Sequence, residues 1–196
     1  MRPFYVRVKI MNYATIKKFD IANGTGVRVS VFVSGCRHHC KNCFNSEAWN
    51  FNYGKEFNFT VIKELMDALN HDYIEGLSIL GGEPFEPENQ PGVLELVTEF
   101  KNNFKDKNIW CYTGFLYEDL INGKVGDREV VKDILSKIDV LVDGKFVEEL
   151  KDASLLFRGS SNQNIIDVQK SLKAGEKILL EGNWSRKMGN NNIYEN

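Results

Sequence analysis

The stretch VRVSVFVSGCRHHCKNCFN, residues 27–45, joins a strand-like segment directly to a loop that holds three of the four cysteines in the chain. The β-branched and apolar residues of 27–34 predict a β-strand. Asn23-Gly24-Thr25-Gly26 stands just before this segment and is a turn signal that marks where the strand begins. The sequence therefore predicts a strand whose carboxyl end carries a cysteine-rich loop.

Three further short strands follow along the chain, and an amphipathic helix is predicted before each of them. The strands are residues 77–80, 109–112 and 138–142, and the helices begin with Thr60 as N-cap, after Pro91 and near Arg128. This alternation predicts a parallel sheet with right-handed crossovers. Glycine-containing turns follow the strands at 81–82, 113–114 and 143–144, at the sheet edge where α/β folds bind ligands. We therefore expect these turns and the cysteine loop to form one site.

Composition and charge restrict the classes of function. With 196 residues and a net charge of −2, the chain is most simply one domain without a basic field for nucleic acid or anionic membranes. It has no apolar run of the ~20 residues that a transmembrane helix needs. The N-terminal MRPFYVRVKI lacks the features of a signal peptide. These features predict a cytoplasmic protein in a reducing environment, which disfavours disulfides.

The cysteine loop has the spacing Cys36-x-x-x-Cys40-x-x-Cys43, which suits more than one kind of metal site. A structural zinc ion needs four ligands, and His38 or His39 could supply the fourth, so a zinc-binding interaction module is one alternative. Three thiolates on a [4Fe–4S] cluster would instead leave one iron open for a small molecule with an amine and a carboxylate. Both kinds of site stay open on the residues of the loop alone.

The CxxxCxxC loop after the first strand resembles the signature of the radical S-adenosylmethionine (SAM) superfamily, and Gly81-Gly82-Glu83-Pro84 resembles its GGE(P) motif. The order and spacing of several motifs are similar to those in one subfamily, the activating proteins of anaerobic ribonucleoside-triphosphate reductases. The motifs are NGTGVR (23–28), SGCRHHCKNCFN (34–45), LGGEPFEPEN (80–89), IWCYTGF (109–115), VLVDGKFVEELKD (140–152) and RGSSNQ (158–163). The resemblance covers about residues 11–167.

The resemblance implies an α/β fold, an incomplete TIM-type (β/α)6 barrel with parallel strands that forms the radical SAM core. A chain of 196 residues is short for a full eight-fold barrel, which also favours an open one. Residues 1–10 are interpreted as an N-terminal extension and residues 11–170 as the partial-barrel domain. Residues 171–196 are expected to form a mobile C-terminal tail.

The resemblance also implies an oxidoreductase that activates the reductase. A reduced [4Fe–4S] cluster would pass one electron to SAM, and the resulting 5′-deoxyadenosyl radical would take a hydrogen atom from a glycine of the partner. The partner would thereby acquire a glycyl radical, and a reductant such as flavodoxin would supply the electron. Activation of another glycyl-radical enzyme, or radical SAM chemistry on a small molecule, is the alternative within the same chemistry.

The residue roles that the resemblance implies fall into four groups. They are Cys36, Cys40 and Cys43 as iron ligands; Asn42, Cys43 and Phe44 against SAM; Gly81, Gly82 and Glu83 at its methionine end; and Asp143 and Lys145 in a D-x-K segment beside SAM. Asn42 stands where many radical SAM enzymes carry an aromatic residue near the adenine. His38 matches a histidine common in the subfamily, and Arg158 begins a polar segment predicted to serve either the SAM pocket or the docking of the partner.

Overall fold

A seven-stranded sheet with helices forms the fold in the computed structural model, which describes residues 11–185. The strands are β1 (Met11–Asp20), β2 (Val27–Val33), β3 (Lys55–Phe57), β4 (Ile74–Gly81), β5 (Asn108–Tyr112), β6 (Val140–Asp143) and β7 (Asn164–Asp167). The helices are α1 (Phe59–Leu69), α2 (Gln90–Asn103), α3 (Tyr117–Ile121), α4 (Arg128–Lys137) and α5 (Val168–Ala174). The predicted N-terminal extension, residues 1–10, and residues 186–196 lie outside the described residues.

The strands lie in the order β3-β1-β2-β4-β5-β6-β7. Neighbouring strands from β2 to β6 are parallel, with α1, α2 and the pair α3 and α4 in the connections between them. These four strands are the ones that the sequence pattern predicts. The predicted α/β class with a parallel sheet is therefore confirmed.

The outer strands make the sheet mixed. Strand β1 is antiparallel to β2 and β3, and β7 is antiparallel to β6. Residues 21–26 connect β1 to β2, and a connection of this length can join only antiparallel neighbours. The expected set of six parallel βα units is thus met only in part. Within residues 11–185 four strands are parallel, and the sheet stays open, with β3 and β7 at its edges.

The helices pack on one face of the sheet, and β5 shows how its side chains divide between the two faces. Ile109 and Cys111 point into the core under the helices, whereas Trp110 and Tyr112 belong to a cluster on the opposite face. The helical side of the core includes Ile62, Leu65, Leu96, Val97, Phe100, Val131, Ile134 and Leu135. Burial of these apolar stripes holds the crossover helices against the sheet.

The C-terminal segment covers part of the opposite face. Trp184 packs edge-on against Trp110 and Phe157, at ring-centroid distances of 6.1 and 5.9 Å, and Leu180 joins the same cluster. Leu180 and Trp184, which lie in the segment that the sequence predicts to be a mobile tail, are therefore packed onto the sheet. The physical reason is that their apolar side chains cover a strand face that the helices leave open.

Arg28 is fully buried and ties three strands together. Its guanidinium donates hydrogen bonds to Ser78 Oγ at 2.7 Å, to the Leu77 carbonyl at 2.8 Å and to the Asn108 carbonyl at 3.1 Å. It also lies over the Trp110 ring, 5.7 Å from the centroid. A buried cation is tolerated only when its donors are paired, so these contacts fix the relative positions of β2, β4 and β5.

The start of α1 differs from the sequence prediction by two residues. Asn58, and not Thr60, is the N-cap, because its side-chain oxygen accepts hydrogen bonds from the Thr60 and Val61 backbone N–H groups at 3.0 and 3.2 Å. Asparagine and threonine are both common N-caps, so their order at the start of a helix is hard to read from sequence.

Candidate active site

The carboxyl ends of β2, β4, β5 and β6 open into one cavity of about 490 Å³. Eight of the ten residues that the resemblance implies for the site line this cavity, while Asp143 and Lys145 do not. The parallel register explains the convergence, because parallel strands present all their carboxyl ends at the same edge.

The cysteine loop forms one wall of the cavity. Cys36, Cys40 and Cys43 all line it, and all three are free thiols. The Cys36 backbone N–H donates to the Trp49 carbonyl at 3.1 Å, and the Cys43 N–H donates to the Cys40 carbonyl at 3.2 Å. Backbone hydrogen bonds thus fold the loop so that its three sulfur atoms reach the same cavity.

Gly82 lets the segment after β4 lie directly against the start of the cysteine loop. Its N–H donates to the Val33 carbonyl at 2.7 Å, and the Glu83 N–H donates to the Gly35 carbonyl at 2.8 Å. A Cβ atom on Gly82 would stand 2.5 Å from the Gly35 carbonyl oxygen. Gly81 has a φ of +114°, which only glycine adopts readily. The two glycines are therefore required by the backbone geometry of the cavity wall.

Glu83 is buried, and its carboxylate accepts four hydrogen bonds from three chain segments. The Phe85 N–H and Thr113 Oγ1 donate to Oε1 at 2.9 and 2.8 Å, while the Gly114 N–H and His38 Nε2 donate to Oε2 at 2.7 and 2.8 Å. A carboxylate has about four acceptor sites, so all of them are used within the protein. Glu83 thus joins the cysteine loop to the ends of β4 and β5.

A second acidic contact holds the cysteine loop from outside the cavity. The Arg37 guanidinium donates to Glu86 Oε2 at 2.6 Å and also pairs with Glu88, and the Arg37 backbone N–H donates to Glu86 Oε1 at 2.7 Å. The guanidinium lies 4.4 Å from the ring centroid of Phe51.

Asn89 donates to the Ser34 carbonyl at 3.0 Å and so holds the start of the same loop. The segment 83–89 is therefore the support on which the cysteine loop rests.

Asn42 and Phe44 flank the third cysteine at the mouth of the cavity. Asn42 has a φ of +56°, in the left-handed region that asparagine tolerates better than aromatic residues do. This backbone conformation favours asparagine over an aromatic residue at position 42. The Phe44 side chain is 86% exposed while it lines the mouth of the cavity.

Asp143 and Lys145 stand beside the cavity in different ways. Asp143 is fully buried, and its carboxylate accepts hydrogen bonds from the Tyr117 N–H at 3.0 Å and from Asn164 Nδ2 at 2.9 Å. It therefore ties β6 to β7 and to the start of α3. Lys145 is exposed, and its ammonium is close enough to Cys40 to lower the pKa of that thiol.

Burial controls the protonation of the cysteines in the absence of iron. Burial raises the pKa of Cys36 to about 12, and it also raises the pKa of Cys40 against the weaker opposing effect of Lys145. These thiols are therefore protonated at neutral pH in the metal-free protein. Iron is bound by thiolates, so metal binding at these cysteines must release protons.

The arrangement of the donor side chains bears on both kinds of metal site. Across residues 11–185, no group of three or more His, Cys, Asp and Glu side chains is placed to hold a single metal ion. The described part of the chain therefore contains no set of side chains arranged to bind one zinc ion. Cysteines that bind a cluster are each bonded to a different iron and need not converge on one point. Three free thiols on one cavity wall fit a [4Fe–4S] cluster.

Several residues of the site were not foreseen. Tyr112 lines the cavity from the end of β5, and Glu86 and Asn89 support the cysteine loop from the segment after β4. Thr113 also lines the cavity, and it belongs to the turn 113–114 that the sequence analysis expects at the site. Glu86 contacts a residue 49 positions away in the sequence, and Asn89 contacts one 55 positions away. Contacts over such distances leave no local sequence pattern.

Within residues 11–185 there is no helix that is both long and apolar enough to cross a bilayer.

Comparison with known proteins first defines the class. Residues 22–166 match the family described as the 4Fe-4S single cluster domain, a stretch that begins before β2 and ends within β7. The match includes the cysteine loop, the segment 81–83 and all four parallel strands. The chain therefore belongs to a class of iron–sulfur proteins, as the three thiols on one cavity wall indicate.

The individual relatives narrow this class. The chain is 40% identical over 155 residues to the anaerobic ribonucleoside-triphosphate reductase-activating protein of Escherichia coli strain K12, covering 78% of this chain and 96% of that protein. Its identity to the activating proteins of bacteriophage T4 and Haemophilus influenzae is 38% and 39%, covering 79% of this chain and 93% and 97% of those proteins. The chain belongs to the family of anaerobic ribonucleoside-triphosphate reductase-activating proteins.

Proposed function

We propose that this chain activates an anaerobic ribonucleoside-triphosphate reductase by cleaving SAM and generating a glycyl radical on that partner. The observation that carries the proposal is the convergence of Cys36, Cys40 and Cys43 with Gly81 and Gly82 on one cavity at the strand ends. Relatives of about 40% identity are named as activators of this reductase. We take the four parallel strands as a shortened form of the radical SAM half-barrel.

Different residues of the chain would bind the cluster, contact SAM and position the loops. Cys36, Cys40 and Cys43 would hold a [4Fe–4S] cluster, which when bound supplies the single electron that cleaves the C5′–S bond of SAM. Three thiolates leave one iron without a protein ligand, so the amino and carboxylate groups of SAM can bind there. Gly81 and Gly82 line the same cavity as the three cysteines, and their backbone would contact the methionine end of SAM. Glu83, whose carboxylate is fully used by protein donors, acts by positioning the loops.

The proposed reaction uses one electron and one molecule of SAM. One electron enters from an external reductant such as a flavodoxin, and SAM is converted to methionine and a 5′-deoxyadenosyl radical. This radical takes a hydrogen atom from a glycine Cα of the reductase and leaves 5′-deoxyadenosine. The partner retains the unpaired electron as a glycyl radical. Phe44, which is highly exposed where it lines the cavity, would contact SAM, the partner or both.

The test is anaerobic reconstitution with iron and sulfide, followed by incubation with SAM, a reductant and the reductase. We expect about four irons per chain and a glycyl-radical EPR signal on the reductase. Cys40→Ala should lose both. Cys111→Ala is the matched control, because Cys111 is fully buried in the helix-side core and does not line the cavity.

Each negative result of this test would reject a different part of the proposal. A colourless protein that binds zinc would reject the iron–sulfur assignment. SAM cleavage without a radical on the reductase, but with one on another glycyl-radical enzyme, would move the chain to a different partner. Retained SAM cleavage in Cys40→Ala would remove the ligand assignment.

A further inference from the structure

The connection between β6 and β7, residues 144–163, forms one wall of the cavity and is called the 144–163 wall below. It contains one short 3₁₀ helix, Glu148–Leu150. A loop of roughly 20 residues is uncommon inside a compact domain and is usually functional. The wall supplies eight of the 24 residues that line the cavity: Gly144, Phe146, Lys151, Leu155, Phe157, Arg158, Gly159 and Gln163.

Hydrogen bonds within the 144–163 wall hold its two halves together. The Ser161 N–H donates to the Leu150 carbonyl at 2.9 Å. Asn162 Nδ2 donates to the Lys145 carbonyl, also at 2.9 Å. These bonds join the first half of the wall to the second, so the wall can be displaced as one body.

One side of the wall is anchored to the open face of the sheet. The Leu156 N–H donates to the Trp184 carbonyl at 3.0 Å. The Phe157 ring packs against Trp184 and Trp110, at 5.9 and 5.3 Å between centroids. Aromatic packing of this kind buries much apolar area, so residues 156–157 are firmly held to the sheet.

The other side of the wall meets the cysteine loop through weaker contacts. Lys41 Nζ donates to Glu149 Oε1 at 3.0 Å, and the two side chains are 70% and 67% exposed. An ion pair of this exposure changes an equilibrium by about 5-fold at most. The Phe146 backbone N–H lies close enough to the Cys40 thiol to oppose the rise of its pKa, but sulfur is a weak acceptor.

The cysteine loop itself is fixed much more firmly from its other side. The buried Glu83 carboxylate accepts from His38 Nε2 at 2.8 Å, and the buried Glu86 carboxylate accepts from the Arg37 backbone N–H at 2.7 Å. Breaking a buried hydrogen bond leaves a group unpaired and costs more than breaking an exposed ion pair. Of the contacts around the cysteine loop, those with the 144–163 wall therefore cost the least free energy to break.

The size of the cavity requires that a wall moves during the proposed reaction. Its volume of about 490 Å³ is typical of a site for one small molecule. The proposed reaction needs SAM and a glycine Cα of the reductase in the same place at the same time. A cavity that SAM occupies must therefore widen before a segment of a protein can approach the bound SAM.

We propose that the 144–163 wall is movable, that the ion pair of Lys41 and Glu149 closes it against the cysteine loop, and that it opens to admit the glycine-bearing segment of the reductase. The proposal rests on the proposed function and identifies the part of the chain that admits the partner. Opening breaks the ion pair and turns the wall about residues 156–157, which stay on the sheet. The closed wall shields bound SAM from water until the reductase docks.

The first test locks the wall in its closed position. A water-soluble carbodiimide joins Lys41 Nζ to the Glu149 carboxyl group through an amide, and the water that is lost converts the carbodiimide to a urea. Peptide mass spectrometry confirms the link between the two residues. The locked, iron–sulfur-reconstituted protein should still cleave SAM with a reductant alone, but it should give no glycyl-radical EPR signal on the reductase.

Two variants treated with the same reagent control for its other reactions. Glu149→Gln cannot form the amide and should keep its ability to activate the reductase. Glu129→Gln neutralises another exposed glutamate, which pairs with Lys132 at 3.1 Å on α4, and leaves the pair of Lys41 and Glu149 intact. It should lose activation as the wild type does. Equal radical yields from the locked wild type and the treated Glu149→Gln variant would overturn the proposal.

Binding of the reductase gives a readout independent of activity. When a closed form must open before it binds, the measured affinity is reduced by the small fraction of open molecules. Glu149→Gln should raise this fraction and tighten reductase binding by up to about 5-fold. The double variant Lys41→Glu with Glu149→Lys reverses the ion pair and should restore the wild-type affinity. Anaerobic isothermal titration calorimetry of the SAM-loaded protein with the reductase measures both.

Three further outcomes would reject the movable wall. Weaker binding of the reductase by Glu149→Gln would assign Glu149 to the interface with the partner and overturn the proposal. Loss of SAM cleavage in the locked wild type, but not in treated Glu149→Gln, would show that the wall admits SAM and not the partner. If the untreated wild type forms no glycyl radical on the reductase, the proposed function fails first and the movable wall with it.

Discussion

His38 Nε2 lies 2.8 Å from Glu83 Oε2, which links the cysteine loop to the segment after β4 through a buried contact. The His38 ring also packs on Phe115, with 4.5 Å between centroids. A Cβ atom on Gly114 would stand 2.5 Å from the His38 ring. The histidine of the loop therefore packs against the end of β5 while it donates to Glu83, and both contacts position the loop.

Glu83→Gln should destabilise the protein by roughly 1–3 kcal/mol, because it leaves a buried donor unpaired. Each carboxylate oxygen accepts from a backbone N–H, so the amide nitrogen of glutamine would face another donor in either orientation. Chemical denaturation of the metal-free protein measures the change. Glu88→Gln is the control, because the Glu88 side chain is 50% exposed, and its cost should stay below about 0.5 kcal/mol. Equal costs for the two variants would contradict the role given to Glu83.

Gly82→Ala should lower the iron content after reconstitution and abolish SAM binding. The added Cβ would meet the Gly35 carbonyl oxygen at 2.5 Å and the Ala48 carbonyl oxygen at 3.0 Å, and both are backbone atoms next to residues that line the cavity. The segment after β4 and the start of the cysteine loop must therefore move apart. Iron analysis and dialysis with SAM measure the effect.

Gly175→Ala controls for backbone strain alone. Gly175 has a φ of +76° at the end of α5, and no atom lies within 4 Å of its ideal Cβ position. Its replacement should cost about 1 kcal/mol of stability with normal iron content. Normal iron content and SAM binding in Gly82→Ala would show that the close approach is not needed.

Lys145→Gln should weaken SAM binding by about 3-fold at low salt and reduce its dependence on salt. The reason is that Lys145 is exposed but close enough to Cys40 to affect it electrostatically, so its ammonium can attract the SAM carboxylate. Dialysis at several ionic strengths measures both quantities. Lys177→Gln is the control, since the Lys177 ammonium pairs with Glu118 at 2.8 Å, whereas that of Lys145 acts on Cys40. The same salt dependence in Lys145→Gln and the wild type would exclude a direct electrostatic role.

Trp184→Ala should destabilise the protein by about 2–4 kcal/mol, because the ring packs against both Trp110 and Phe157. Loss of this packing should also loosen the segment 157–158 and weaken SAM binding. Thermal unfolding and dialysis are the measurements. Tyr73→Ala removes an aromatic side chain that is 54% exposed and should leave SAM binding unchanged. Wild-type stability in Trp184→Ala would contradict the packing of the C-terminal segment.

The features predicted well from sequence have short-range signals. The four parallel strands each end at a glycine-containing turn or at the cysteine loop, and the apolar stripes of α1, α2 and α4 have helical spacing. These signals placed the cysteine loop and the turns at one edge of the sheet, and the structure has a cavity there. The spacing of Cys36, Cys40 and Cys43 then restricted the kind of metal centre.

The features that were missed depend on tertiary contacts. Strand β1 has a mixed pattern of buried and exposed residues without regular alternation, and β3 is only three residues long. His38 and Thr113 donate hydrogen bonds to Glu83, and they lie 45 and 30 residues away from it in the sequence. Tyr112 looks like an ordinary strand residue until its hydroxyl is found buried without a partner among the described residues.

The meeting of three strand ends at Glu83 also bears on the order of folding. Its partners follow β2 and β5 and are joined to it only after long loops have closed, a situation of high contact order that slows assembly. The cavity wall can therefore form only after β2, β4 and β5 have aligned. A nascent chain that ends before β5 has the three cysteines but lacks part of the cavity that they line, so we expect iron to be bound only after β5 has been made.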